Sequence, residues 1–147
     1  MVPEGFLGGQ HPVDVPARAE RYREMIASDG AEAMWVLEDD EGQVVGEASV
    51  ASRHRGVLSL GMAILPAARG RGGGRALLEA VLEHARRTGA HKVDLEVWTD
   101  NARAINLYAS MGFEVEGLRR DHYRRQDGSL RSTLLMAKRV DRSIWGE

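Results

Sequence analysis

The stretch Arg69-Gly70-Arg71-Gly72-Gly73-Gly74-Arg75 constrains this chain more than any other. It stands between a long apolar run, Val57–Leu65, ended by Pro66, and a strongly amphipathic one, Arg75–Thr88. The first predicts a central strand. In the second, Leu77, Leu78, Val81, Leu82 and Ala85 share one stripe while Glu79, Glu83, Arg86 and Arg87 lie off it, which is the helical period. Gly89 supplies the stop. A strand–loop–helix junction gathers exposed backbone N–H groups and the positive end of a helix dipole around an anion. Glycines allow a close approach that a Cβ would block, and arginines add charge-assisted contacts. The loop therefore reads as a phosphate or pyrophosphate cradle. Two other readings are an RGG-like nucleic-acid tract and a plain connector. Such tracts are repetitive and disordered, whereas this loop is single and firmly flanked, and a connector has little use for four glycines and three arginines.

The remaining elements follow from local signals. A helix is predicted from Pro16 over Ala17–Ala27, stopping near Asp29-Gly30. Met34–Glu38 and Val44–Val50 read as a hairpin around the turn Asp39–Gly42. A basic loop (Arg53, His54, Arg55, Gly56) precedes the central strand. After the amphipathic helix, Val93, Leu95 and Val97 alternate with Asp94, Glu96 and Trp98 as a strand. Ala102–Ser110 reads as a short helix before Gly112. Phe113–Arg125 and Leu130–Lys138 read as two strands hinged at Asp127-Gly128. The order α-β-β-β-α-β-α-β-β predicts an α+β fold, with a mostly antiparallel sheet and one central β-α-β crossover. One domain spans 1–147, with 1–13 and 140–147 irregular.

Composition removes several chemistries. The chain has no cysteine, which excludes a disulfide scaffold, a thiolate zinc site and a cysteine nucleophile. Its five histidines show no metal-ligand spacing, so no metal is expected. No apolar run approaches the ~20 residues that span a bilayer, and Met-Val-Pro-Glu-Gly lacks the order of a secretory signal. A cytoplasmic protein with no membrane partner is expected. The net charge of −2 conceals an asymmetry, because residues 1–50 hold 11 acids against 3 bases and the remainder is basic. Ordinary solvated faces account for that, and so does a site meeting a cation at one end and an anion at the other.

The cradle is of neither common type. No Lys-Ser/Thr follows the glycines as a P-loop needs, and counting G-x-G-x-x-G from Gly70 puts Arg75 where the third glycine belongs. What fits is Arg69-x-x-Gly72-x-Gly74, the Q/R-x-x-G-x-G/A signature of acetyl-CoA-dependent N-acetyltransferases of the GNAT superfamily. Asn101-x-x-Ala104-x-x-Leu107-Tyr108-x-x-x-Gly112-Phe113 resembles that family's second signature. The tail, with Asp127-Gly128 and Leu135-Met136-Ala137, is similar to members that acetylate protein N-termini, free amino acids or small amines. The resemblance covers roughly residues 33–139. Two departures stand out. Gly73 occupies a position where the family usually has an aliphatic residue seated in the core, and the N-terminal part is shortened, with no convincing first strand ahead of Met34.

The resemblance implies direct transfer of an acetyl group from acetyl-CoA, as co-substrate, to a primary amine, on a small molecule or a peptide. It implies that the backbone of Gly70, Arg71, Gly72, Gly73, Gly74 and Arg75, beside Arg69, holds the pyrophosphate. Met62, Ala63 and Ile64 would pair with the extended pantetheine. Tyr108 is the implied general acid and Glu96 the implied base, with Glu47 or a held water as substitutes. Asn101 has two compatible readings, a cofactor contact and the N-cap of the helix at Ala102. An uncovered sheet edge near the N-terminus would favour pairing with a second copy as a homodimer. A different class of reading is a CoA-binding sensor or scaffold that does not catalyse. Nucleic-acid binding through Arg69–Arg75, Arg119, Arg120, Arg124 and Arg125 sits poorly with the net charge and with only Tyr123 as an interleaved aromatic.

Overall fold

The computed structural model describes Pro16, Ala19, Glu20, Arg23, Glu24 and residues 30–141. Those first five are helical, where the N-terminal helix is predicted; the rest of that helix, and residues 1–13 and 142–147, lie outside the described part. Over residues 30–141 the chain forms six strands and two α-helices. These are β1 (Ala33–Glu38), β2 (Val44–His54), β3 (Val57–Ile64), α1 (Gly73–Arg87), β4 (Lys92–Trp98), α2 (Ala102–Ser110), β5 (Glu114–Arg124) and β6 (Leu130–Arg139). Every predicted element in this span is present. Two boundaries move for identifiable reasons. β2 runs on to His54 because Arg55-Gly56, with Gly56 at φ 77°, closes a tight hairpin, leaving no room for a four-residue basic loop. α1 starts at Gly73 and not Arg75, since glycine is tolerated in a first turn where backbone N–H groups are unpaired anyway.

The sheet order is β1-β2-β3-β4-β6-β5, and only β3 and β4 are parallel. That pair is joined through α1, the single crossover the sequence predicts. Strand alternation sorts side chains to two faces. One face carries Ala48, Val50, Leu58, Leu60, Val93, Leu95, Val97 and Met136, which pack with Leu77, Leu78, Val81, Leu82 and Ala85 of α1 and with Tyr108 and Phe113. Leu78 and Val81 have no exposed surface, and burial of each stabilises the fold by roughly 1.5–3 kcal/mol. The opposite face is polar where β3, β4 and β6 meet, with Ser59, Asp94, Glu96 and Thr133 in register with one another's strands.

The parallel pair is short. Its register runs from Val57↔Lys92 to Leu60↔Leu95 and no further. Ser59 Oγ donates to Asp94 Oδ1 at 2.6 Å across the last stretch that is still paired. Beyond it the strands diverge, so the β4 side of Gly61–Ile64 has no strand partner, although β2 still pairs with these residues on the other side. The sheet thus has a fork in its middle.

Candidate active site

The fork opens beside the start of α1. Arg69 turns back and donates from Nε to the carbonyl of Ile64 at 3.1 Å, tying the glycine loop to the end of β3. Gly72 takes φ 84° as the N-cap residue, a left-handed conformation that glycine adopts without penalty. No side chain caps this helix, and no acidic residue lies in its first turn. The first helical bond runs from Ala76 N to Gly72 O at 3.1 Å, so the N–H groups of Gly73, Gly74 and Arg75 have no partner within the helix. Bare N–H groups and a dipole uncompensated by an acid make this helix start electropositive, in a loop that also carries the exposed Arg71 and Arg75. The predicted loop residues are all gathered there. The place of the aliphatic residue the family usually carries at position 73 is filled from elsewhere, because Leu37 of β1 lies in contact where a Cβ on Gly73 would stand.

α2 brings Tyr108 to the same corner. Asn101 accepts a bond from Ala104 N at 3.2 Å, so the N-cap reading of this residue holds. A Cβ on Gly74 would stand 2.7 Å from Leu107 Cδ2 and 3.5 Å from Ile64 Cδ1, which means α1, α2 and β3 converge at one point. Tyr108 follows immediately, only 6% exposed, its ring 5.7 Å from that of Phe113. Nothing among the described residues hydrogen-bonds its hydroxyl. Among those residues no buried side-chain oxygen or nitrogen lacks a partner, so the hydroxyl oxygen itself reaches accessible space while the ring does not.

Burial pushes the Tyr108 phenol up from 10.0 to about 12. The neutral phenol is therefore the form the fold holds, and a stability consequence follows. A group raised on folding contributes fully below its unfolded value and loses that contribution as pH climbs through its folded value. Unfolding free energy should fall between pH 10 and 12 by on the order of 3 kcal/mol on this account. Denaturant melts of wild type and Tyr108→Phe, compared across that range, isolate the effect because the other tyrosines cancel.

Glu96 is the first β4 residue beyond the paired stretch, and it lies on the polar face. Its carboxylate is more heavily engaged than its sequence suggests. Tyr123 Oη donates to Oε2 at 2.6 Å, Thr133 Oγ1 donates to Oε2 at 3.0 Å, and Arg119 Nη1 pairs with Oε1 at 2.9 Å. Trp98, only 2% exposed, floors this network, with Tyr123 edge-on at 5.5 Å and the Arg131 guanidinium over its ring at 4.1 Å. Arg131 is in turn held by Asp100 at 2.8 Å. Sequence reasoning missed Arg119, Tyr123 and Thr133, which come from strands far along the chain. Two surface cavities, one of about 600 Å³ against Glu79, Arg86 and Lys138 and one of about 430 Å³ against Arg55 and His91, share no residue with the fork.

The model of the acetyltransferase (GNAT) family matches residues 6–113, nearly three-quarters of the sequence. The chain belongs to that family. The match begins at residue 6, ahead of the residues 33–139 over which the two signatures carry the resemblance. The RimI N-alpha-acetyltransferase of Mycobacterium tuberculosis is 52% identical over 59 residues, which are 40% of this chain and 35% of that relative. Among solved structures, the ribosomal-protein-alanine N-acetyltransferase of Brucella melitensis superposes with a TM-score of 0.78 at 30% identity, covering 86% of this chain and 79% of the other. A Salmonella typhimurium protein solved with its cofactor acetyl-CoA superposes with a TM-score of 0.79 at 26% identity, covering 92% and 79%. The α+β GNAT fold, with its forked and mostly antiparallel sheet, is the fold of this chain.

Proposed function

We infer that the protein is an N-acetyltransferase, passing the acetyl group of acetyl-CoA directly to a primary amine in a ternary complex. The observation that carries this reading is the β3–β4 fork opening beside the uncapped N-terminus of α1. An extended pantetheine arm can pair with the unpartnered side of Met62, Ala63 and Ile64 as an added strand would. Its pyrophosphate then falls on the N–H groups of Gly70–Arg75, with Arg71 and Arg75 alongside, while Arg69 braces the loop. Asn101 keeps its amide nitrogen for the cofactor while its oxygen caps α2. The acceptor enters from the polar face, where Glu96 stands, so donor and acceptor meet inside the sheet from opposite sides.

The chemistry follows from the two faces. An alkylammonium with a pKa near 10.4 is neutral only about 0.04% of the time at pH 7, so the amine must first lose a proton toward Glu96. The free amine attacks the thioester carbon, and a backbone N–H at the fork receives the oxyanion. As the C–S bond breaks, Tyr108 hydrogen-bonds the departing sulfur. Held near 12, this phenol is a far weaker acid than a thiol of about 8.5. It releases its proton to sulfur only as the nitrogen's second proton replaces it. The ammonium thus gives up two protons, one to solvent by way of Glu96 and one to the thiol of CoA.

Thiol release from acetyl-CoA, measured against small alkylamines, free amino acids and short peptides with free N-termini, tests the reading. We expect turnover with at least one class. Binding of acetyl-CoA by calorimetry with no turnover on the whole panel would replace catalysis by a sensor or scaffold role. The protein's work inside the cytoplasm, and any homodimer, belong to the same proposal.

A further inference from the structure

β5 and β6 do not pair evenly opposite Glu96. Arg119 pairs with Thr133 and Tyr123 with Arg131, so four steps along β5 span two along β6. The surplus is absorbed by Arg120, Asp121 and His122. Asp121 sits at φ 49°, the only left-handed non-glycine residue among those described, and its N–H donates to Ser132 Oγ at 2.8 Å. A double insertion that keeps parity has a definite geometric result. Arg119 and Tyr123 emerge on the same face, two β6 residues apart, and both reach Glu96. Strain held at a bulge beside a site is the pattern expected where a side chain has been re-aimed for use.

The bonding of Glu96 narrows what that use is. A carboxylate offers about four acceptor positions, and three are taken. Oε2 is occupied by two hydroxyls, and Oε1 by Arg119. Thr133 is completely buried and cannot meet an acceptor. Tyr123 is half-buried, and its oxygen, while donating to Oε2 and accepting from Arg119, keeps one further lone pair with which to accept. Burial, and then Glu96, raise its pKa above the ordinary tyrosine value, with Arg119 opposing, so the hydroxyl keeps its proton and the donor direction is fixed.

We propose that Tyr123 is a second catalytic residue, accepting the proton of the acceptor ammonium on its hydroxyl oxygen while its own proton passes to Oε2 of Glu96. In this step one N–H bond breaks and one O–H bond forms at Tyr123 as another breaks there and forms at Glu96, leaving a neutral amine and a protonated carboxyl. Arg119 is a positioning residue that fixes the carboxylate toward Tyr123. The other charged or titratable groups around Glu96 are accounted for. Asp94, on the same face of β4, is bonded to Ser59, His122 sits 3.4 Å from Arg119 and edge-on to the Tyr123 ring at 4.9 Å, Arg125 lies over the Trp98 ring at 5.3 Å, and Arg131 of β6 is paired with Asp100. The neighbouring stretch of β3 offers only Ser59, Gly61 and Ala63 on this face.

The proposal rests on the acetyltransferase reading, and one pH series separates the two. With the best amine of the panel, kcat/KM of Tyr123→Phe at pH 7 should fall about 100-fold, while KM for acetyl-CoA stays unchanged. The deficit should then shrink about tenfold per pH unit toward pH 9, since hydroxide-driven deprotonation replaces the lost relay and wild type stays nearly flat. Phe keeps the ring against Trp98, so a merely structural loss would be constant with pH. Arg119→Lys should retain more of kcat than Arg119→Met. A Tyr123→Phe enzyme with full activity, or with a deficit independent of pH, overturns the relay and leaves acetyl transfer standing. Wild type inactive on every amine overturns the acetyltransferase reading itself.

Discussion

Tyr108→Phe should lower kcat by 10²–10⁴ while leaving KM for acetyl-CoA and the folded structure nearly untouched. The substitution removes one oxygen. Its ring stays in the core beside Phe113, and the hydroxyl it deletes makes no hydrogen bond among the described residues, so no buried partner is orphaned. In the proposed mechanism, what disappears is the donor to the departing sulfur, an interaction made only as the C–S bond breaks. An interaction confined to the transition state appears in kcat and not in substrate affinity. The raised pKa adds a second expectation. Because the phenol is pushed up to about 12, its ionisation cannot generate an alkaline limb in the wild-type rate profile below about pH 10. Steady-state kinetics from pH 6 to 10, with circular dichroism to check the fold, would decide both. A mutant retaining more than about a tenth of wild-type kcat would remove Tyr108 from the chemistry.

Much of this arrangement could be read from the chain before its fold was known, and the reasons are local. The helix α1 announces itself by a stripe of leucines and valines at helical spacing, and the cradle by glycines at a strand–helix junction. Asn101 is legible as a cap because capping acts over three residues. The unpartnered side of Met62, Ala63 and Ile64 depends on where β3 and β4 part, which resemblance suggested but periodicity alone could not locate. The surroundings of Glu96 were out of reach altogether. Thr133 lies 37 residues away and Tyr123 27, and their convergence depends on a bulge whose only local mark is an aspartate in a left-handed conformation. An unperturbed reading of β5 by alternation would give the same facing for Arg119 and Tyr123, but would set them four residues apart along the strand and too far for one carboxylate. Leu37 filling the space at Gly73 is a similar case, a contact between β1 and α1 that compensates for a missing side chain and leaves no pattern in either segment.

Gly74→Val should cost about 100-fold in kcat/KM even though it leaves in place the backbone N–H proposed to meet the pyrophosphate. Gly74 is buried at the point where α1, α2 and β3 meet. A single Cβ there already stands 2.7 Å from Leu107 Cδ2. That atom is the free end of a flexible side chain, so Gly74→Ala can be absorbed by a small turn of Leu107. Valine adds two further carbons, and Ile64 Cδ1, 3.5 Å from the Cβ position, closes the other direction. With one neighbour already turned aside and the other partly buried against the core, the remaining relief is a shift of α2 against α1, at about 1–3 kcal/mol of overpacking. Tyr108 follows Leu107 directly and moves with it. A displacement near 1 Å of a catalytic group is worth on the order of 100-fold in rate, and the first turn of α1, whose N–H groups form the anion cup, is disturbed by the same shift. The valine variant should therefore lose in kcat and in KM for acetyl-CoA together, whereas Tyr108→Phe loses in kcat alone. Kinetics of the alanine and valine variants side by side test this coupling. Equal activity in the two would mean that the corner is looser than its contacts imply, and that the donor cup and the acid are not mechanically joined.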